Sequence, residues 1–128
     1  MKRSQLEEQP QKNSKNIQEE IGVCIDANPL SVNELWIGRK WKTKKYEAYE
    51  KEIAALLPAR KTIQGKFRLQ FVFRIKNANR CDLDNLIKPL VDIMQKKGYY
   101  TDDRNLVGLM AEKIKSNNNL IYIYLEEL

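Results

Sequence analysis

Four aspartates in two close pairs are the residues of this 128-residue chain whose types and spacing best suit chemistry. Asp82 and Asp84 stand on either side of one leucine in RCDLDNLIKP, residues 80–89, and extended backbone would place both side chains on one side. Asp102 and Asp103 form the second pair. Converging carboxylates can hold Mg²⁺, which prefers oxygen ligands. A cation held there would help deprotonate an attacking water and stabilise the charge of a phosphodiester transition state.

Lys88 follows Asp84 by four residues and precedes Asp92 by four. On an α-helix the three side chains therefore share one polar stripe, in which Lys88 could hold a scissile phosphate or stabilise its charge. A purely structural interpretation stays open at this point. In that interpretation Asp84 is only a helix N-cap, and the three residues form a solvated ladder worth about 0.2–0.5 kcal/mol per pair.

The composition excludes several classes of enzyme. The chain contains no histidine, which excludes Ser-His-Asp and Cys-His mechanisms and fits a site made only of oxygen ligands. Cys24 and Cys81 form no CxxC pair, so we expect two reduced thiols and no zinc site. The sequence has neither an apolar run long enough for a membrane span nor a secretory signal, so we expect a soluble cytoplasmic protein with no membrane partner.

Positive charge is concentrated in the middle of the chain. Residues 39–80 carry 13 basic and 3 acidic side chains, a net charge of +10 within a total of +6. Such segregation indicates an anionic partner, and nucleic acid is the leading candidate. The candidates for phosphate contact, chosen by charge and position, are Arg39, Lys40, Lys42, Lys44, Lys45, Arg74, Lys76 and Arg80.

The apolar pattern predicts a small α/β (α+β) domain with a mixed β-sheet and two main helices packed on it. Strict alternation predicts a strand over 67–75, and an apolar stripe between Asp84 and Gly98 predicts the second helix, with a possible kink at Pro89. We expect residues 1–18 to form a flexible arm and residues 19–128 to form one domain. The remaining predicted elements are strands over 21–27, 107–115 and 119–128 and a helix over 43–57 that Thr43 caps.

The segment DLDNLIKPLVDIMQKKGYYTDD resembles the signature of the RusA family of Holliday-junction endodeoxyribonucleases of bacteria and their phages. In that signature D-L-D-N precedes a lysine, an aspartate, a glycine with an aromatic residue, and paired aspartates. The matching residues are Asp82, Leu83, Asp84, Asn85, Lys88, Asp92, Gly98, Tyr99, Asp102 and Asp103. A weaker likeness covers the Pro/Asn loop, the basic stretch and the first helix, so the resemblance spans roughly residues 21–125. Leu30, Ser31 and Val32 stand where the family usually has a second proline and asparagines.

The resemblance implies a homodimer that resolves four-way DNA junctions by paired symmetric nicks in recombination and repair. It implies Mg²⁺ as cofactor, with Mn²⁺ as a substitute and no small-molecule cofactor, and a bacterial or phage-encoded protein at the nucleoid. Asp82, Asp84 and Asp103 would bind the metal and Lys88 would be the catalytic lysine. The second acid of the pair is preferred because the family's essential acid holds that position; Asn85, Asp92 and Asp102 are secondary candidates.

Two other functions compete with this hypothesis. A non-catalytic module of the same fold would bind branched DNA without cutting it. A structural or adaptor protein would use its acidic loop to hold an ion for stability, and would have no affinity for junctions.

Overall fold

The computed structural model describes residues 17–26, 28–31, 36–37 and 41–128. Four strands form one sheet in the order β1-β6-β4-β5, built from β1 (Ile17–Ile25), β4 (Phe67–Ile75), β5 (Leu106–Lys115) and β6 (Asn119–Glu127). β4 pairs with β5 in parallel and with β6 antiparallel, and β1 pairs with β6 antiparallel. Two helices, α1 (Lys44–Leu56) and α2 (Leu83–Lys97), complete the domain. The predicted α+β class, a mixed sheet with two helices, is confirmed.

Strand β4 lies at the centre of the sheet and carries much of the core. Alternate side chains from Phe67 to Ile75 are buried on the face that the helices cover, because extended backbone sends successive side chains to opposite faces. The residues between them, such as Arg68 and Arg74, lie on the other face. The observed bounds of β4 match the prediction of a strand over 67–75.

Helix α1 begins and ends where its sequence predicts. The Thr43 side chain accepts a hydrogen bond from the Tyr46 backbone N–H at 3.0 Å, which satisfies one of the free donors of the first turn. Tyr46, Tyr49 and Ile53 face the core. The helix ends at Leu56, just before Pro58.

Helix α2 is the crossover between the two parallel strands β4 and β5. It continues through Pro89, whose missing N–H leaves the Asn85 carbonyl without its helical donor. Leu86, Leu90 and Met94 of its predicted apolar stripe are buried. Gly98 ends the helix with φ 96°, a left-handed conformation that glycine adopts without a side-chain penalty.

Two further features qualify the sequence-based picture. A two-stranded hairpin of β2 (Trp36–Ile37) and β3 (Trp41–Lys42) lies in a segment for which we predicted no strand. Residues 1–16 of the predicted arm lie outside the described residues, and β1 already includes Ile17 and Gln18, so the domain division stays a prediction. Within the described part of the chain, no helix is long and apolar enough to cross a membrane.

Candidate active site

The first acidic pair lies at the junction between β4 and α2. After β4 ends, a single 3₁₀ turn (Ala78–Arg80) leads the chain to Asp82, the N-cap residue of α2. The Asp82 side chain makes no capping hydrogen bond, so the helix start does not use its carboxylate. Asp84 lies in the first turn instead of at the cap, which corrects the structural interpretation that Asp84 is only an N-cap. Both carboxylates are exposed.

An open groove of about 580 Å³ runs between the start of α2 and strand β5. Asp82 and Asp84 line it on the helix side, and Lys113 lines it on the strand side together with apolar residues. The Lys113 ammonium group donates a hydrogen bond to the Cys81 carbonyl, which fixes the chain immediately before Asp82. Within the described part of the chain neither carboxylate has a side-chain partner, so the groove combines two free carboxylates with a lysine that was not among the sequence-based candidates.

Lys88 joins the helix to the second acidic pair. Its Nζ atom lies 3.2 Å from Asp92 Oδ1, one turn later on α2, and 3.2 Å from Asp103 Oδ2. Hydrogen bonds to Asp92 and Asp103 raise the pKa of Lys88 above its ordinary value. Because the lysine is then protonated at neutral pH, it can stabilise negative charge or donate a proton, but it cannot act as a general base.

The two members of the second acidic pair have different surroundings. The Asp102 carboxylate accepts hydrogen bonds from the Arg104 backbone N–H and side-chain Nε, both at 2.9 Å. These bonds to Arg104 lower the pKa of Asp102. Asp103 instead faces α2, where Gln95 Oε1 accepts its backbone N–H at 3.2 Å and Lys88 contacts its carboxylate. Asp102 thus holds a local turn, and Asp103 reaches the predicted catalytic lysine.

The connector before Asp103 is anchored to the core. The Tyr100 ring stacks on Phe67 with ring centroids 4.3 Å apart, and its hydroxyl donates to the Val91 carbonyl at 2.6 Å. The Ile63 backbone N–H donates to the Tyr99 carbonyl at 2.9 Å. Gln95 adds a further contact, since its Nε2 donates to the Thr101 carbonyl at 3.3 Å. These contacts fix the position at which the chain presents Asp103.

The described residues contain no cluster of three or more His, Cys, Asp or Glu side chains that could hold one metal ion. Asp82 and Asp84 share the groove, and Asp103 is paired with Lys88 rather than grouped with them. All three are carboxylates, so their donor chemistry suits a hard cation such as Mg²⁺. Their role as metal ligands stays a prediction.

The secondary candidates and the predicted DNA-contact residues are spread over several surfaces. Asn85 is half-buried in the first turn of α2, and Asp92 is paired with Lys88. Lys44 and Lys45 are exposed at the start of α1, and Lys76 and Arg80 are exposed after β4. Arg74 lies on the sheet face opposite the helices. Arg39 and Lys40 lie outside the described residues, and for Lys42 only its place in β3 is described.

Comparison with known proteins finds the same family along most of the chain. The model of the family described as Endodeoxyribonuclease RusA matches residues 26–126. A protein of Lactococcus phage r1t named Crossover junction endodeoxyribonuclease rusA is 34% identical to the chain over 95 residues. That alignment covers 68% of this chain and 65% of the phage protein, so the chain spans just under two thirds of that relative.

Proposed function

Because the chain belongs to the RusA family of endodeoxyribonucleases, we propose that it cuts DNA and resolves four-way junctions in recombination and repair. The observation that carries this proposal is the contact between Lys88 and Asp103 at 3.2 Å. It joins the two halves of the family signature, which lie on different elements, next to the groove that Asp82 and Asp84 line. The arrangement places carboxylates that have no partner in the described structure beside a fixed positive charge.

Each residue of the site has a chemical role in this reaction. Asp82 and Asp84 present oxygen ligands that are unpaired among the described residues, and Asp103 would join them when it exchanges Lys88 for a cation. A divalent cation bound there, Mg²⁺ or Mn²⁺, would supply Lewis-acid activation of water and charge neutralisation. Lys88 holds a positive charge for the phosphate, and Lys113 lies on the other wall of the groove.

The exposed cations nearby support DNA as the substrate. Lys45 and Arg80 come from different elements and line the same cavity beside the site. Lys76 and Arg80 also line a neighbouring groove with Lys115. Phosphate contacts of this kind position DNA without reading its sequence, so they would lead the strand to the acidic groove.

The edge strand β5 supports a homodimer. It pairs only with β4 in the sheet of the described residues, and it carries four exposed large apolar side chains: Val107, Leu109, which lines the acidic groove, and Met110 and Ile114, which lie on the opposite face of the strand. An exposed strand edge with an apolar surface is a ready site for pairing with another chain. A second copy is the occupant we propose, because two symmetric nicks require two active sites related by a two-fold axis.

One experiment tests the proposal against its competitors. Purified protein is incubated with a labelled four-way junction, with and without Mg²⁺, alongside Asp82→Asn, Asp103→Asn and the matched control Asp102→Asn. We expect paired nicks from the wild type and the control only, and junction binding by all four. Binding without any cleavage by the wild type would favour the DNA-binding module. A melting temperature that depends on Mg²⁺ with no junction affinity would favour the structural protein.

Light scattering tests the dimer separately. The wild type is expected to have twice the mass of one chain. Met110→Lys on the exposed strand should shift the protein towards the monomer, because it places a charge on the face of β5 that Ile114 shares. A wild-type monomer at micromolar concentration would contradict the homodimer without affecting the assignment of the acidic site.

A further inference from the structure

A second cavity lies beside the acidic groove, between α1 and the chain that leads into α2. Its volume is about 460 Å³, within the range of small-ligand sites. Pro29, Leu30 and Ala48 provide apolar lining, and Arg80 and Cys81 line it immediately before Asp82. We call this cavity the base pocket. Its wall is continuous in sequence with the proposed catalytic residues.

Two buried polar groups of the base pocket make no hydrogen bond within the described part of the chain. One is the hydroxyl group of Tyr49, whose residue is 1% exposed, and the other is the side-chain oxygen of Asn77. Burial raises the pKa of Tyr49, so its hydroxyl keeps its proton and can both donate and accept. Buried polar groups are nearly always paired in folded proteins, and two unpaired ones on one cavity indicate a polar ligand.

The remaining polar groups define the chemistry of that ligand. Glu52 also lines the pocket, and within the described residues its Oε2 atom accepts the Asp26 backbone N–H at 2.8 Å while its Oε1 atom has no partner. With Asn77 Oδ1 it provides hydrogen-bond acceptors, which match an amino group on the ligand. Lys45 and Arg80 are exposed where they line the pocket and would pair with a phosphate.

We propose that the base pocket receives one unpaired nucleobase of the bound DNA strand and prefers bases that carry an exocyclic amino group over thymine. This inference rests on the proposed function, since it places the base next to the phosphate at the acidic groove. An apolar slot with a few polar groups suits the flat faces and polar edge of a base. Thymine has no amino group, and its single N3–H can donate to only one of Asn77 and Glu52, so it would leave the other acceptor unsatisfied.

The test uses four-way junctions that carry 2-aminopurine at each position around the branch point in turn. Wild-type protein is added in EDTA, so the DNA is bound but not cut. We expect fluorescence to rise at one position in each of two symmetric strands, as that base leaves the stack. Thymine at the same position should weaken binding roughly three- to tenfold relative to cytosine or adenine. This factor corresponds to the loss of about one hydrogen bond.

Matched variants assign the effect to the pocket. Asn77→Ala should remove the preference against thymine, and Asn77→Asp should keep it because the side-chain oxygen remains. Tyr49→Phe should reduce the fluorescence rise without lowering the melting temperature, since it removes a hydroxyl without a partner in the described structure. Tyr46→Phe, one turn earlier on α1 and not among the lining residues, is the control and should leave the fluorescence rise intact.

Cleavage in Mg²⁺ is measured on the same junctions, so the two proposals can fail separately. If the wild type cuts, but no position brightens and Asn77→Ala keeps the wild-type base preference, the base pocket is wrong and the nuclease assignment stands. If the wild type neither binds nor cuts any junction, both the nuclease function and the base pocket are wrong.

Discussion

Replacing Lys88 with methionine should separate catalysis from stability. The lysine makes two ion pairs, each at 3.2 Å, but its side chain is 56% exposed and its partners are about one third exposed. Exposed pairs of this kind contribute about 0.2–1 kcal/mol each. The two pairs together are then worth at most about 2 kcal/mol, so we expect Lys88→Met to lower the melting temperature by no more than about 8 °C. Loss of a charge that stabilises the transition state should lower the cleavage rate roughly 10²- to 10³-fold.

Lys96 provides the matched control on the same helix. It is 57% exposed and pairs with Glu50 at 2.7 Å, away from the acidic groove. Lys96→Met should cost no more stability than Lys88→Met and leave single-turnover cleavage of a four-way junction within about threefold of the wild-type rate. The reasoning is refuted if the two variants lose activity equally, or if Lys88→Met cuts at the wild-type rate while still folded.

Three further predictions concern the second acidic pair, the buried tyrosines and the end of α2. Asp103→Asn should abolish cleavage and Asp102→Asn should retain it, since of these two aspartates Asp103 contacts Lys88 and Asp102 contacts Arg104; a gel assay in Mg²⁺ that gives the reverse order would contradict this. Burial raises the pKa of Tyr46 to about 12, above its ordinary value of 10, so the free energy of unfolding should fall by about 2–3 kcal/mol between pH 10 and 12. Circular dichroism will follow the loss of structure, and the difference in tyrosinate absorbance between the wild type and Tyr46→Phe will follow Tyr46; ionisation of Tyr46 near pH 10 in the folded protein would disprove the prediction. Gly98→Ala should cost roughly 1–2 kcal/mol in urea unfolding because of its φ of 96°, since an added Cβ would meet no atom closer than 3.9 Å; an unchanged midpoint would mean that the turn relaxes.

Local sequence signals were sufficient to predict the elements that have a regular apolar pattern or a clear helix cap. β4 follows from the alternation of Phe67 to Ile75, and α1 follows from its Thr43 cap. The start of β1 did not follow, because Glu19 and Glu20 interrupt the apolar run. Glu19 is accommodated by Arg60, whose guanidinium lies 3.0 Å from its carboxylate, and such a distant partner leaves no signal in the local sequence.

The candidate site could likewise be predicted only in part, because its contacts between distant residues leave no local signal. The residues of the signature could be selected from the sequence, but the contact of Asp103 with Lys88 depends on the crossover from β4 to β5, which periodicity does not specify. Lys113 was missed because a lysine on an edge strand looks like an ordinary surface residue. Gln95 was missed because its contacts, with Asp103 and Thr101, come from a connector outside the helix.

The charge of the groove itself suggests a test of how DNA reaches it. Asp82, Asp84 and Lys113 line the groove, and Lys88, one helical turn after Asp84, pairs with Asp92 and Asp103. These four carboxylates and two lysines carry a net charge of −2 between them. Without a bound cation this surface repels phosphate. Removing one charge about 5 Å from a phosphate in water relieves about 0.8 kcal/mol, which is roughly threefold to fourfold in affinity before screening.

Asp82→Asn should therefore bind a four-way junction more tightly than the wild type in EDTA, although it does not cut in Mg²⁺. Fluorescence anisotropy at low and moderate salt measures the difference, which should shrink as salt screens the charges. Glu20→Gln removes the same charge from β1 at the opposite edge of the sheet and should change the affinity less. Weaker binding by Asp82→Asn in EDTA would mean that the phosphate does not approach this carboxylate, and the acidic groove would then not be the place where DNA is cut.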